Sequence, residues 1–289
     1  MKFQLATAQF SPFKKNVAAN LDRIAGFLEQ AAGESIDVVL FPESAVTGYF
    51  LEGGVLECAL TTEALTQELH ARLGKLAREI DFAVGFYEIE SGNLYNSAAY
   101  FNWSSAGLVL VHCYRKFFLP TYGVFDEERF VARGSELSVF ETRFGPMSLL
   151  ICEDVWHSIS STICAIKGAQ VILVPSASPA RGFAGEKPGN VLKYEQLLSA
   201  ISAEHNVFTA NAALCGFEGG KGFPGGSLIC DPDGQVLVSS PLQDEHLAVA
   251  EIDLERLRVA RSRSPLLGDL QSAWGDIVRN AEEAHANLA

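Results

Sequence analysis

A cysteine stands between a short apolar run and a segment with helical spacing. Residues 149–151 are Leu-Leu-Ile and lead directly into Cys152, and isoleucines recur at helical spacing over 159–166. This pattern predicts a buried strand that ends at the cysteine and a helix that follows it. Ligand-binding and catalytic residues often lie at the carboxyl ends of such strands, and a helix amino terminus lowers the pKa of a thiol. Cys152 is therefore a candidate nucleophile, although this stretch alone is equally consistent with a buried core cysteine.

A nucleophilic thiol needs a base, because only a few per cent of a free thiol is ionised at neutral pH. The six histidines do not supply an obvious one, since His157 is expected to point along the helix that follows Cys152. Glu43 ends the buried run DVVLFPE, and Lys116 ends a third predicted strand, GLVLVHCYRK. In one sheet, parallel neighbouring strands would bring such ends to the same rim. Glu43 could then act as the general base and Lys116 as an oxyanion donor, whereas each residue alone is also consistent with a charge facing water.

Composition excludes several classes of protein. The chain has 289 residues, 48% hydrophobic and 20% charged, which is typical of a large globular domain. Its net charge of −13, without a basic cluster, argues against nucleic acid as a partner. Six scattered cysteines without a CxxC pair, and no HExxH motif, predict reduced thiols, no metal and no cofactor. No apolar run approaches the roughly 18 residues of a membrane span, so we expect a cytoplasmic protein without membrane contact.

The order of predicted elements indicates an α/β domain with packed sheets. Strands are predicted at 3–10, 37–43, 82–90, 93–102, 107–116, 169–175, 206–214 and 246–253, with a hairpin turn at 232–234. Two further strands flank a turn at 143–145, and the second of them ends at Cys152. Helices are predicted after the N-caps Asn16 and Asn190, from Thr61 to Ile80, over 159–166 and over 254–260. We expect a single domain over 1–289. Residues 261–289 read as a C-terminal oligomerisation arm, because their apolar side chains need a partner surface.

Three motifs carry a family resemblance. FPE around Glu43, YRKFFLP around Lys116 and ICEDVWH around Cys152 resemble, in this order, the Glu-Lys-Cys triad of the nitrilase superfamily of carbon-nitrogen hydrolases. The resemblance extends to AQF near the amino terminus, YGVFDEER, PSASP and GGS, and so covers nearly the whole chain. The segments CEDVW, YGVFDE and PSASP are most similar to the glutaminase domain of glutamine-dependent NAD synthetases.

The resemblance implies a fold and a mechanism. The fold would be a four-layer αββα sandwich that forms a homodimer or a larger homo-oligomer. Glu43 would take the proton of Cys152, which attacks the amide carbon, while Lys116 and the backbone amide of Glu153 hold the oxyanion. Glu127, in VFDEER, matches the family's second carboxylate and would fix the lysine and position the substrate. Ammonia would leave, and water activated by Glu43 would hydrolyse the thioester to a carboxylic acid.

The resemblance also points to substrate contacts. Ser176 and Arg181 match the serine and arginine that help glutaminase domains to recognise the glutamine end of the substrate. Tyr122 and Trp156, with Phe125, are expected as pocket walls. The sequence contains no match to the synthetase half, so we expect a hydrolase that acts alone or supplies ammonia to a separate partner.

Several other functions remain open from the sequence. An N-carbamoyl hydrolase and a nitrile hydrolase would share the triad, and a non-catalytic amide-binding protein would share the fold. The complete set of Glu43, Lys116, Glu127 and Cys152 favours an enzyme, and a small amide is the favoured substrate because nitrile hydrolysis is the rarer activity in the superfamily. The glycine-rich EGGKGFPGG lacks the spacing and the following helix of a phosphate loop, which argues against nucleotide binding.

Overall fold

The computed structural model describes residues 1–74, 76–183 and 185–287. Its strands are β1 (Lys2–Gln9), β2 (Val38–Leu40), β3 (Ile80–Glu90), β4 (Asn93–Ser104), β5 (Gly107–Arg115), β6 (Phe140–Thr142), β7 (Gly145–Leu149), β8 (Val171–Ser176), β9 (Phe208–Ala213), β10 (Cys215–Glu218), β11 (Lys221–Pro224), β12 (Leu228–Cys230), β13 (Val236–Ser239) and β14 (His246–Asp253). Its helices are α1 (Val17–Gly33), α2 (Val55–Cys58), α3 (Thr62–Leu73), α4 (Ser158–Ile166), α5 (Gly189–His205), α6 (Glu255–Arg263) and α7 (Leu266–Ala286). Short 3₁₀ turns span Glu52–Gly54, Glu127–Arg129 and Cys152–Trp156.

The long strands form two six-stranded sheets. The first sheet has the order β14-β1-β2-β3-β4-β5, and the second has the order β13-β12-β9-β8-β7-β6. Within each sheet the three central strands are parallel, β1-β2-β3 in the first and β7-β8-β9 in the second, and the outer strands are antiparallel. Strands β10 and β11 form a separate hairpin. The parallel centres require crossover connections, which α1, α3, α4 and α5 supply.

Alternation along the strands explains why the two sheets pack face to face. Val38 and Leu40 of β2 belong to the core between the sheets, whereas Val39 belongs to the core under α1 and α3. A strand covered on both faces reads as a continuous apolar run, as the sequence of β2 does. Helix α5 closes the far side of the second sheet, where Leu198 joins the same core as the strands. The result is the predicted four-layer αββα sandwich.

Two helix boundaries that the sequence predicted can be compared directly. The side chain of Asn16 accepts a hydrogen bond from the amide of Ala19 and caps α1, as predicted. The expected extension of α3 to Ile80 is wrong, because α3 ends at Leu73, before Gly74, and Ile80 begins β3. The apolar spacing continues past Leu73 because Ile80 is buried in a strand, so the periodicity alone could not mark the helix end.

The predicted cap at Asn190 is also wrong. Helix α5 begins at Gly189 with Pro188 as its N-cap, and Asn190 lies in its first turn. The side-chain Nδ2 of Asn190 instead donates to the carbonyl and hydroxyl oxygens of Ser178, and its Oδ1 accepts from the backbone amide of Arg181. Asn190 therefore holds the PSASP segment against α5.

The carboxyl-terminal residues form two helices. Helix α6 ends at Arg263, and α7 extends to Ala286 with most of its residues exposed. Apolar side chains that remain accessible on α7 include Leu266, Ile277 and Val278. Over the described ranges, no helix has the length and apolar character that crossing a membrane requires.

Candidate active site

Glu43 lies in the loop that follows β2, and its carboxylate is fully buried. Its Oε1 accepts from Lys116 Nζ at 2.7 Å, and its Oε2 accepts from the backbone amide of Ala177 at 2.8 Å. Ala177 follows β8, so this second bond joins the first sheet's carboxylate to the second sheet's backbone. The loop crosses Gly85 of β3, where an added Cβ would lie 2.5 Å from the Pro42 carbonyl oxygen. A glycine in this strand therefore permits the close approach that places Glu43.

Lys116 is the residue immediately after β5, and its ammonium is fully buried between two carboxylates. Its Nζ donates to Glu43 at 2.7 Å and to Glu127 at 2.6 Å. Burial lowers the pKa of this ammonium, but the charges of Glu127 and Glu43 more than compensate and hold it well above its usual value. Lys116 is therefore a fixed cation and not a proton acceptor at neutral pH.

Glu127 stands in a 3₁₀ turn and completes the charged cluster. Its Oε1 also accepts a hydrogen bond from the hydroxyl of Tyr49, whose ring is buried. Burial raises the pKa of Glu127, with Lys116 opposing and Glu43 reinforcing this shift. Glu127 thus contacts the lysine that it is predicted to fix.

Asn96 is a site residue that the sequence analysis missed. Its Nδ2 donates to Glu43 Oε1 at 2.8 Å and lies 3.5 Å from Glu127 Oε2. Asn96 is fully buried in β4, and its amide spans both carboxylates. The only signal in the sequence is an asparagine inside a strand pattern, a position that this residue type avoids.

Cys152 begins the 3₁₀ turn that follows β7. The strand ends at Leu149, and two residues, Leu150 and Ile151, separate it from the cysteine. The φ of Cys152 is +49°, a left-handed conformation that non-glycine residues rarely adopt. Such strain persists at functional sites because the surroundings over-determine the backbone. The turn is the elbow that the sequence predicted, although the strand stops earlier than expected.

Burial, charges and hydrogen bonds together set the ionisation of the thiol. Burial and the charge of Glu43 raise the pKa of Cys152 far above its usual value, while Lys116 acts in the opposite direction. The backbone amide of Ala177, which binds Glu43, also approaches the sulfur. The resting residue is therefore a neutral thiol beside a carboxylate that can accept its proton.

Asp154 anchors the elbow to the end of β5 and was not identified from the sequence. Its Oδ2 accepts from the Ile151 amide at 2.9 Å and from the Tyr114 hydroxyl at 2.8 Å. Its Oδ1 accepts from the Phe118 amide at 2.8 Å. Because Phe118 and Tyr114 flank Lys116, this buried carboxylate fixes the lysine segment relative to Cys152.

The expectation that the strands of Glu43 and Cys152 are neighbours in one sheet is wrong. Strand β2 belongs to the first sheet and β7 to the second, and the two carboxyl ends meet across the interface between the sheets. Strand β5, which carries Lys116, belongs to the first sheet. The triad is therefore assembled by packing of the sandwich and not by strand pairing.

The predicted substrate-binding residues contact one another, with one exception. Glu153 is largely buried, and its carboxylate accepts from the Tyr122 hydroxyl at 2.9 Å. The Arg181 guanidinium carbon lies 5.4 Å from the centre of the Trp156 ring and 5.3 Å from that of Phe125. These aromatic faces hold the cation in place.

Ser176 is the exception among these residues. It ends β8, and its hydroxyl accepts from the Asn211 amide at 2.8 Å and contacts the Ala212 carbonyl at 3.4 Å. Its hydroxyl is thus engaged within the second sheet, whereas the backbone of the following residue, Ala177, reaches Glu43.

A cavity of about 880 Å³ adjoins three of the predicted pocket residues. Its lining includes Tyr122, Phe125 and Arg181 on one side and Phe217 and Lys221 of the β10-β11 hairpin on the other. The glycine-rich segment forms this hairpin and therefore borders the cavity. The walls carry five aromatic side chains, the cations Arg181 and Lys221 and one carboxylate, Asp244. The two cations outnumber the single carboxylate, so the cavity suits an anionic organic group.

His157 points away from the thiol, as the sequence predicted. Its ring stacks on Phe118 at 3.9 Å and its Nε2 lies 3.7 Å from Glu153. Within the described residues, no group of three or more histidine, cysteine or acidic side chains is arranged to hold a metal ion.

Comparison with known proteins relates this site to one family. Residues 4–262 match the sequence profile described as carbon-nitrogen hydrolase. The chain is 31% identical over 278 residues to a glutamine-dependent NAD(+) synthetase of Acinetobacter baylyi, a match that covers 96% of this chain and 49% of that protein. The chain thus spans about half the length of the curated relatives it matches.

Two solved structures illustrate the shared fold. The glutamine-dependent NAD+ synthetase of Acinetobacter baumannii, in complex with ADP, superposes with a TM-score of 0.77 at 28% identity, and the match covers 89% of this chain and 47% of that one. A mutant of the Nesterenkonia AN1 amidase, from the nitrilase superfamily, superposes with a TM-score of 0.70 at 25% identity, and the match covers 90% of this chain and 95% of that one. The chain therefore belongs to the carbon-nitrogen hydrolase family of the nitrilase superfamily and is a hydrolase-type enzyme.

Proposed function

We propose that this chain hydrolyses the terminal C–N bond of a small linear amide through a thioester on Cys152. The observation that carries the proposal is the buried cluster in which Lys116 lies 2.7 Å from Glu43 while both charges act on the thiol of Cys152. A neutral thiol, a carboxylate and a fixed ammonium are the parts that nucleophilic attack on an amide needs.

The first half of the reaction forms the thioester. Glu43 takes the proton of Cys152, and the sulfur lone pair bonds to the amide carbon. The proton transfer leaves the total charge of the site unchanged, because a thiolate appears as the carboxylate becomes neutral. Lys116 and the backbone amide of Glu153 then stabilise the oxyanion, a contribution of about 10²- to 10³-fold for each such donor. The C–N bond breaks as Glu43 returns the proton to the leaving nitrogen, and ammonia departs.

The second half regenerates the enzyme. Glu43 takes a proton from water, whose oxygen bonds to the thioester carbon. The C–S bond breaks, the sulfur recovers the proton from Glu43, and the carboxylic acid departs. The products are one ammonia and one acid for each amide and water consumed. Glu127 keeps its position on Lys116 throughout and so fixes the oxyanion donor.

We propose an amide that also carries a carboxylate, such as glutamine, as the substrate. The support is the half-buried Arg181, held over the rings of Phe125 and Trp156 at the edge of the cavity. An arginine pre-oriented by aromatic faces binds a carboxylate with little loss of side-chain freedom. The curated relatives named as glutamine-dependent agree with this choice. A carbamoyl amino acid offers the same carboxylate and is the second candidate.

The test is ammonia release from glutamine, asparagine, butyramide, a carbamoyl amino acid and one nitrile, measured for the wild type, Cys152→Ala and Arg181→Gln. Cys152→Ala should release no ammonia from any of them. Arg181→Gln should lower kcat/KM for glutamine by about 10- to 100-fold, the range for a hydrogen bond to a charged group, and should leave butyramide unchanged. Release by Cys152→Ala contradicts the mechanism. Equal losses for both amides contradict the carboxylate contact, and release from none of the compounds favours the amide-binding alternative.

A further inference from the structure

The nucleophile has a contact that the proposed mechanism leaves unused. The hydroxyl of Tyr194, on α5, donates to Cys152 Sγ at 3.1 Å. Tyr194 is 4% exposed, and its ring packs edge-on against Trp156 with centroids 5.6 Å apart. Helix α5 also contacts the 3₁₀ turn of Cys152, so the hydroxyl is held at the sulfur by the packing of two elements.

The chemical state of this hydroxyl is fixed by its surroundings. Burial raises the pKa of Tyr194 well above its usual value, and negative charge on Cys152 or Glu43 acts in the same direction. The phenol therefore keeps its proton at working pH and serves only as a donor to the sulfur. A neutral thiol is a weak acceptor, whereas a thiolate is a charged one.

We propose that Tyr194 is a catalytic residue that stabilises negative charge on the Cys152 sulfur. The inference rests on the proposed function, in which the sulfur is anionic twice. It is anionic after Glu43 removes its proton and before the S–C bond forms, and again when the C–S bond of the thioester breaks and its electron pair returns to sulfur. In the thioester that forms between these two states the sulfur is uncharged. The hydrogen bond from Tyr194 is therefore weaker in the thioester than in either anionic state. The phenol transfers no proton in either step.

The size of the effect follows from a single charge-assisted hydrogen bond. Its loss in Tyr194→Phe should reduce the thiolate population by about tenfold at any pH below the titration of the thiol. A more basic thiolate is also more nucleophilic, by about threefold for a tenfold change in acidity. We therefore expect alkylation of Cys152 to slow by about threefold and amide turnover, which also needs the thiolate as a leaving group, to fall by about tenfold.

The test measures alkylation by iodoacetamide, with modification of Cys152 followed by peptide mass spectrometry over a range of pH. Tyr100→Phe is the matched control, because Tyr100 is also buried and donates to a carboxylate, Asp81, whose other partners are Asn102 and Arg143. Tyr194→Phe should slow alkylation by the same factor at each pH, and Tyr100→Phe should not. Incorporation of 3-fluorotyrosine at position 194 strengthens the donor at nearly constant volume and should accelerate alkylation.

Three outcomes would overturn the assignment. The first is that Tyr194→Phe is alkylated and turns over amides at the wild-type rates. The second is that Tyr100→Phe slows alkylation as much as Tyr194→Phe does. The third is that 3-fluorotyrosine at position 194 slows alkylation. If Tyr194→Phe does not fold, the fluorotyrosine protein decides alone. Alkylation of Cys152 requires no amide hydrolysis. If the wild type is inactive on every amide, the proposed function is refuted, but the alkylation rates still test the effect of Tyr194 on the sulfur.

Discussion

Replacing Lys116 by methionine should destabilise the protein in a manner that depends on pH. Methionine preserves most of the buried volume but removes the only cation that contacts Glu43 and Glu127 in the described structure. With both carboxylates ionised, the cluster of two anions and one cation changes from one negative charge to two. Breaking a buried ion pair in this way leaves an uncompensated charge, which proteins avoid by taking up a proton.

The magnitude follows from the cost of that proton. A glutamate with an ordinary pKa of about 4.3 is protonated at pH 7 at a cost of about 3.7 kcal/mol and at pH 5 at a cost of about 1 kcal/mol. In Lys116→Met the pKa of Glu127 rises further in the folded state, so the destabilisation is absent below about pH 4 and grows as the pH rises. We therefore expect a loss of about 1 kcal/mol at pH 5 and nearly 4 kcal/mol at pH 7.

The assay is urea unfolding, followed by tryptophan fluorescence at fixed protein concentration and at several pH values. Lys187→Met is the control, because Lys187 and Glu195 form an exposed pair, and it should show no such pH dependence. The double variant Lys116→Met/Glu127→Gln removes the surplus charge and should be more stable than the single variant at pH 7. A destabilisation that is equal at pH 5 and pH 7, or a double variant no more stable than the single one, would refute this account of the cluster.

Three further changes test other parts of the molecule. Glu43→Gln should lower ammonia release by roughly 10²- to 10⁴-fold, measured against Cys152→Ala as the inactive reference, and a smaller loss contradicts its function as the base. Burial raises the pKa of Asp154 to about 6, so the stability it contributes is present below pH 4 and lost as the pH rises to about 6. Relative to Asp154→Asn, the wild type should lose about 3 kcal/mol of unfolding free energy over that interval, and parallel pH profiles in urea would contradict this. We propose that α7 mediates self-association. Ile277→Lys should then reduce the mass measured by light scattering at micromolar concentration, whereas Leu56→Lys, at another exposed position, should not. A monomeric wild type would refute the proposal.

The sequence predicted the triad because each member follows an apolar run that is readable locally. Glu43 stands just after the buried strand β2, Lys116 just after the partly exposed edge strand β5, and Cys152 in the turn that follows β7. The sheet to which each strand belongs is decided by contacts between residues that are distant in the sequence. We expected Glu43 and Cys152 at one edge of a single sheet, whereas they lie where two sheets pack together. Local patterns identify a strand end well, but strand partners depend on packing that no short window contains.

The residues that the sequence analysis missed are those whose function in the site leaves little local trace in the sequence. Asn96 reads as a polar position in a strand, and Tyr194 reads as the core face of a helix, which it also is. Gly85 did carry a signal, because a glycine inside a strand often marks a close backbone approach. Its meaning became clear only once the Glu43 loop was seen to cross it.

The assembly of the site from two sheets has a consequence for how activity depends on the fold. Glu43 contacts Lys116 within the first sheet, but it accepts the Ala177 amide from the second, and Asp154 ties the nucleophile's turn back to the end of β5. The hydrogen bonds that align the triad are therefore also bonds between the two halves of the sandwich. Because such bonds lose strength steeply with small changes in geometry, a substitution that shifts one sheet against the other disturbs catalysis before it disturbs either sheet. The core residues between the sheets thus support catalysis without touching a reacting atom.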